Sequence, residues 1–158
     1  MIAFEILLRY PFFDFLTHPM KAIAQISKEE TYPPDTFIFR ENERAEGLYI
    51  LVSGSVDLFF TIDVEYHPDW HKELLFNTIN PGEFFGISAL IEPHILTSSA
   101  RTSSVCQVIK IDAAKLIALC EQDEQFAYGL MHQVAKVTIE RLNATRTQLA
   151  AAWSAVLA

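Results

Sequence analysis

The chain carries no cysteine framework, no basic block and no long apolar run. Only Cys106 and Cys120 occur in 158 residues. Two cysteines exclude a disulfide-stapled scaffold and fit a reducing compartment, where both serve as small buried hydrophobes. Twelve Lys and Arg stand against twenty Asp and Glu, a formal net charge of −8. With no cationic stripe to displace phosphate counterions, this segment is not expected to bind nucleic acid. No stretch reaches the roughly 20 apolar residues that span a bilayer. The opening "MIAFEILLRYPFFDFL" is apolar but interrupted by Glu5, Arg9, Pro11 and Asp14. It has neither a basic n-region nor a small-residue cleavage site, so it does not read as a signal peptide. The expectation is a cytoplasmic protein with no membrane partner.

What is present is apolar and aromatic. Half the residues are hydrophobic and twelve are Phe, which excludes a disordered chain. The length suits one domain with a real core and is too short for two ordinary ones. Residues 2–9, 12–16 and 19–27 read as short helical pieces, and Phe12, Phe13, Phe15 and Leu16 would pack them onto something larger. "YPPDT" then stops any helix, because proline removes a donor and fixes φ. From Thr36 the texture turns to strands. "TFIFRE" alternates, "GLYILVSGSVDLFFTIDVEY" is strand-like with a tight turn at Gly54, and "WHKELLFNTI" returns after a turn at "HPD". "NPGE" is a further turn, and "ARTSSVCQVIKID" is again extended. From Asp112, a plausible N-cap, the period becomes helical. A second helical run from near Asp123 to about Ala152 carries an apolar stripe of Phe126, Leu130, Val134, Val137 and Leu142. One unit over 1–158 is expected: helical 1–27, a β-roll over 30–111, and C-terminal helices over 112–157.

This order and two local motifs resemble the cyclic-nucleotide-binding domain family, which includes the sensor domains of catabolite-activator-type regulators and of kinase regulatory subunits. "ENERAEGLYILVSGSVDLF" is similar to the family's strand–turn–strand, through Gly47, Leu48, Tyr49, Ile50, Leu51, Gly54 and Val56. "PGEFFGISALI" is similar to the entry to its phosphate-binding cassette. The resemblance covers roughly residues 5 to 150. It implies a mainly β fold with helices: an antiparallel, eight-stranded β-roll of jelly-roll type between N-terminal helices and a long C-terminal helix.

The family's cassette runs Phe-Gly-Glu-x-Ala-Leu and, after a short loop, Arg-(Ala/Ser)-Ala. Gly86 matches the glycine, and Ala89 and Leu90 the small–apolar pair. The glutamate position falls on Ile87. The arginine position falls on Leu96, whether counted forward from Ile87 or back from "VCQVIKID". In the family the glutamate accepts from the ribose hydroxyl and the arginine neutralises the cyclic phosphate. Charge-assisted bonds of that kind are worth roughly 1.5–3 kcal/mol each, so their loss makes the pocket drier and poorer at holding a phosphate. Gly86, Ile87, Ser88, Ala89, Leu90, Leu96, Thr97 and Ser98 are the candidate ligand-binding residues. Such a pocket is empty, plugged by side chains, or suited to an apolar ligand. Backbone amides at Gly86 to Leu90 and the hydroxyls of Thr97, Ser98 and Ser99 remain as donors, unless those hydroxyls only cap the turn. Arg101, in "RTSSV", imitates the family's arginine wording. It lies five residues from Leu96, and that odd separation points it to the opposite face of a strand.

Other chemistry is weaker. His67 and His71, with Asp69 and Glu73 nearby, have a metal-like spacing, but they sit at an expected hairpin tip with no second cluster to close a tetrahedral set. His94 reads as a loop histidine able to sense pH. No nucleophile elbow or paired base is present. The β-roll also resembles cupins, but its inner strands offer Phe, Leu, Ile and Val rather than metal ligands, so no enzyme, metal or cofactor is expected. The resemblance implies that the C-terminal helix pairs with its twin in a parallel homodimer, with the Phe126-to-Leu142 stripe as the seam, or else covers its own β-roll. "ALCEQDEQF" would be the hinge before it. There is no room for the helix-turn-helix of the family's regulators, although the chain itself does not exclude being cut from a longer one. The reading is a non-catalytic regulatory sensor for signal transduction. It has lost ordinary cyclic AMP or cyclic GMP recognition and acts through dimer or partner contacts, with an unidentified small molecule or none. The alternatives are a genuine cyclic-nucleotide receptor with a rearranged cassette, and a haem or redox sensor using Cys106, Cys120 or a histidine.

Overall fold

A computed structural model describes residues 1–14, 20–63 and 71–158. Short helices open the chain: α1 (Phe4–Leu7), a 3-10 turn (Pro11–Phe13) and α2 (Met20–Gln25). Eight strands follow among the described residues: β1 (Ser27–Tyr32), β2 (Phe37–Phe39), β3 (Gly47–Ser53), β4 (Val56–Asp63), β5 (His71–Ile79), β6 (Phe84–Phe85), β7 (Ser99–Thr102) and β8 (Cys106–Asp112). A second 3-10 turn (Ile87–Leu90) sits between β6 and β7. The chain closes with α3 (Ala113–Gln122) and α4 (Glu124–Leu157). The strands form two antiparallel sheets, in the orders β1-β8-β3-β6 and β2-β7-β4-β5. This is the mainly β roll with flanking helices that the sequence implied.

The first sheet is buried on both faces, and the period of two in β3 and β8 shows it. Leu48, Ile50, Ile109 and Ile111 point to a core shared with Leu7, Phe12, Ile23, Leu116, Phe126 and Leu130. Tyr49, Leu51, Cys106 and Val108 point the other way, into the roll, against Val56, Leu58, Ile79, Phe85 and Ala100. Phe12 stacks on Phe84 with ring centroids 3.7 Å apart, which anchors the N-terminal segment to the sheet. Phe15, Leu16, His67 and Asp69 lie outside the described residues, so the expectations placed on them find no counterpart here.

Three elements differ from the sequence reading. The helical run toward residue 27 ends at Gln25, and β1 begins at Ser27. "SKEETY" carries three consecutive charges and no apolar alternation, which suits an outermost strand paired on one side only. The helices near the N-terminus are shorter than expected. At the other end α4 runs to Leu157, the limit expected for the C-terminal helices and five residues past the periodic run read to about Ala152. Both C-terminal helices start on aspartate caps: Asp112 accepts from the Lys115 amide at 3.0 Å, and Asp123 from the Phe126 amide at 3.0 Å.

The turn between β3 and β4 depends on Gly54. Its φ is +97°, and a Cβ there would meet the Val105 carbonyl oxygen at 2.4 Å. Gly54→Ala therefore combines a strained backbone with a clash against main chain. We expect a loss of about 1–3 kcal/mol or more, read as a lower urea midpoint at unchanged m-value. An unchanged midpoint would mean that this turn is not built as described.

Candidate functional site

The cassette begins where β6 hands over to the 3-10 turn. Gly86 takes φ +78°, and a Cβ would come within 3.0 Å of both the Gly47 carbonyl oxygen and the Tyr49 ring. The glycine is thus required by conformation and by close approach. The turn closes with the Ala89 amide donating to the Gly86 carbonyl at 3.1 Å. Ala89 and Leu90 are buried, Ile87 and Ser88 half-buried.

Ile87 and Leu96 do not share a pocket. Leu96 is 4 % exposed and lies in the roll interior with Phe39, Tyr49, Phe85 and Ala89. Ile87 packs instead against the helical core on the far side of the first sheet. The expectation that the two aliphatic side chains line one cavity is corrected in this respect. The 3-10 turn straddles the sheet edge, so adjacent residues of it serve different cores.

Aromatic rings pack beside Leu96, and a recess of about 270 Å³ remains there, lined by Phe39, Arg44, Tyr49, Leu96 and Lys110 among others. Tyr49 stacks on Phe85 at 5.2 Å, and Phe39 lies 5.6 Å from Tyr49 and 6.0 Å from Phe85. The loop before β3 is tied to this segment. The Leu96 amide donates to the Glu43 carbonyl at 2.9 Å, Asn42 donates to the Leu96 carbonyl at 2.8 Å, and Ala45 donates to the His94 carbonyl at 2.8 Å. His94 is itself held in the left-handed region with its Nδ1 2.9 Å from the Ala89 carbonyl.

The hydroxyls divide. Ser99 is buried and accepts from the Glu41 amide at 2.9 Å, so it serves structure. Thr97 is exposed and Ser98 half-buried, and neither side chain bonds to a described residue. Arg101 is on the outer face of the second sheet. Its guanidinium lies 4.7 Å from the Phe59 ring centroid and within 3.6–3.7 Å of Glu73 and Asp35. It does not approach the interior.

The C-terminal helix uses two faces. Phe126, Leu130 and Val134 are buried in the chain's own core, with Val137 packed against it. Of the five residues read as a dimer seam, those four are engaged within the chain, and Leu142 alone is exposed. The same inner face continues through Arg141, whose guanidinium donates to the Phe84 carbonyl, and Gln148, which donates to the Phe76 carbonyl at 3.0 Å. Burial lowers the pKa of Arg141, and the charges of Glu83 and Glu140 oppose that shift. The opposite face exposes Tyr128, Ile139, Leu142, Leu149, Trp153 and Val156. Of the two readings of the stripe, packing in the chain's own core accounts for Phe126, Leu130, Val134 and Val137, and because both faces of the helix are apolar only packing tells them apart.

The cysteines are quiet. Cys106 is buried, its thiol donating to the carbonyls of Ser55 and Ser104 at 3.2 and 3.3 Å. Burial, with Glu121 adding to it, pushes the Cys120 thiol pKa up, away from reactive thiolate. His71 pairs with Asp63 at 2.7 Å. Among the described residues no cluster of His, Cys, Asp and Glu could hold a metal, and no helix is long and apolar enough to cross a membrane.

The sequence model of the family described as "Cyclic nucleotide-binding domain" matches residues 29–123. The cAMP-activated global transcriptional regulator Vfr of Pseudomonas aeruginosa is 30% identical over 124 residues, which is 76% of this chain and 55% of that protein. The CRP-like cAMP-activated global transcriptional regulator of Mycobacterium tuberculosis is 28% identical over 133 residues, 82% of this chain and 54% of that protein. The chain spans about half the length of these curated relatives. A solved Geobacter metallireducens protein, given a cyclic nucleotide-binding name provisionally, is 36% identical with a TM-score of 0.78, over 90% of this chain and 99% of that one.

The interior tyrosine gives a direct optical test. Burial raises the Tyr49 phenol pKa well above its ordinary value, with the charges of Glu30 and Glu46 adding to it. Burial likewise raises Tyr32, which also donates to Glu30. A phenol with a raised folded-state pKa contributes stability that is full below the unfolded value of about 10 and is lost as pH rises beyond it. In a 295 nm titration, Tyr49 and Tyr32, with Tyr10 also raised by burial, should resist ionisation until the fold opens, and Tyr49→Phe should remove one resistant phenol. Ionisation of all tyrosines near pH 10 with the fold intact would contradict this interior.

Proposed function

The chain belongs to the cyclic nucleotide-binding domain family, and from that premise we propose that it is a non-catalytic regulatory sensor module that no longer recognises cyclic AMP or cyclic GMP in the ordinary way. The observation that carries this reading is Leu96, buried among Phe39, Tyr49 and Phe85 in the roll interior. A cyclic phosphate seated there would meet no cation from the cassette itself, the two cations that line the recess beside Leu96, Arg44 and Lys110, coming from the loop before β3 and from β8. An unpaired buried charge costs several kcal/mol. Ile87 supplies no acceptor for a ribose hydroxyl, and Arg101 is engaged with Asp35 and Glu73 on the outer face. The cassette residues Gly86 to Leu90 and Leu96 to Ser98 act on this reading as a shell without its charged pair. It still links the interior to α4, because Arg141 bonds the strand that leads into it. Calorimetric titration with cyclic AMP and with cyclic GMP should show no binding at micromolar concentration. Micromolar binding of either would overturn the loss of recognition and favour a receptor with a rearranged cassette.

The output surface on this reading is the exposed face of α4. Residues 128, 132, 135, 139, 142, 146, 149, 153 and 156 alternate in steps of four and three, the spacing of a two-stranded coiled-coil seam. Tyr128, Ile139, Leu142, Leu149, Trp153 and Val156 supply it with exposed apolar side chains. His132 and Arg146 are polar members of the same seam, a pattern that costs stability and fixes register. A parallel homodimer covers these groups. The regulatory output would then be a change in how α4 packs, passed to another protein. Sedimentation should show a dimer, and the pair Leu142→Lys with Leu149→Lys should give a folded monomer. A wild-type monomer at about 100 μM, well above the range of stable dimers, would reject the seam.

A further inference from the structure

A second cavity lies outside the cassette, at the mouth of the roll. It measures about 750 Å³ and shares only Ala89 with the candidate cassette residues. Its walls come from the β1 start, the loop before β3, the end of β8 and the first turn of α3. That size suits one metabolite-sized ligand.

The cavity gathers cations in a protein of net charge −8. Lys28, Arg44, Lys110 and Lys115 line it, with Glu46 and Asp112 as the acidic members. Lys28 and Lys110 stand directly opposite each other across the β1–β8 ladder. Side chains so paired lie on one face, and like charges there are destabilising. Lys110 is on the inward face of β8, alternating with Ile109 and Ile111, and its side chain is only 20% exposed. Its carboxylate partner is Glu46 at 3.9 Å, beyond hydrogen-bond reach, and Lys115 sits equally far from Asp112. Lys28 is paired more closely, with Glu30 at 2.6 Å. Arg44 has no ion pair among the described residues. Three carboxylates therefore serve four cations, two of them at long range.

Apolar groups complete the wall. Ile26, Ala45, Ala113 and Ile117 line the same space, so a ligand with a small carbon skeleton gains contact as well as charge pairing. We propose that this cavity binds a small organic anion bearing phosphate or carboxylate groups at the mouth of the roll, beside the smaller recess at Leu96 with which it shares Arg44 and Lys110. The ligand would relieve the Lys28–Lys110 repulsion and give Arg44 a partner. Because the cavity touches both Ala89 of the cassette turn and the start of α3, its occupancy would stiffen the junction through which α4 is attached. The inference does not depend on the interior being closed to cyclic nucleotides.

The test uses the full chain with 3-phosphoglycerate, citrate and inorganic phosphate, followed by calorimetry and by amide chemical shifts. We expect saturable binding of 3-phosphoglycerate or citrate tighter than about 1 mM, with shifts at Arg44 to Gly47, Lys110 and Ala113 to Lys115. Arg44→Ala and Lys110→Met should each weaken it about tenfold or more, while Lys72→Ala on β5 should not. Arg44 is exposed, so its variant reads the site even if Lys110→Met unfolds. No saturable binding up to about 10 mM, binding unchanged in Arg44→Ala, shifts confined to the cassette, or binding of a hexaglutamate peptide alone would overturn the proposal. The last outcome would mark an acidic protein partner instead.

Discussion

A sheet with two buried faces governs this molecule. In β3 and β8, Leu48, Ile50, Ile109 and Ile111 belong to the helical core, and Tyr49, Leu51, Cys106 and Val108 to the roll interior. Burying a large aliphatic side chain is worth about 1.5–3 kcal/mol, and a one-residue slip would exchange the two sets. The register is therefore held by both cores at once. The same alternation fixes Tyr49 as an inward residue and places Lys110 beside it at the mouth of the roll. It also places the cassette turn across the sheet edge, so that Ile87 and Leu96 serve different cores.

That division changes what the two missing charges mean. In the family's arrangement a carboxylate and a guanidinium would converge on one ligand. Here one aliphatic replacement consolidates the helical core, and the other completes a cluster of rings within the roll. Leu96 packs with Phe39, Tyr49 and Phe85 in the roll interior, and Ile87 against the helical core. The cationic residues the chain does possess lie elsewhere, Arg101 on the outer sheet face and Lys28, Arg44, Lys110 and Lys115 around the mouth. Helix α4 is fastened by polar bonds to main chain, from Arg141 to Phe84 and from Gln148 to Phe76. Those bonds leave the opposite face of α4 free.

Much of the fold was legible from local signals. Gly54 and Gly86 announced turns that only positive φ permits, Asp112 and Asp123 announced helix starts, and the alternation in "GLYILVS" announced a strand. "SKEETY" was not legible, because an edge strand is paired on one side and its side chains need show no apolar period. Within the candidate site, Arg101 lies on the outer face, but counting from Leu96 does not explain it, because β7 begins only at Ser99 and the residues before it are bends. The separation of Ile87 from Leu96 did not follow, because a 3-10 turn has no strand periodicity to count along.

By itself the sequence determined the order of elements and the family, since these are properties of residue type and spacing. Tertiary structure alone decided which apolar stripe of α4 is consumed, which core each cassette residue enters, and that four cations from distant segments share one cavity. The reason is that each of these depends on what a side chain meets across space, and residues such as Lys28, Arg44 and Lys110 are brought together by the β1–β8 ladder and the loop before β3, far from one another along the chain.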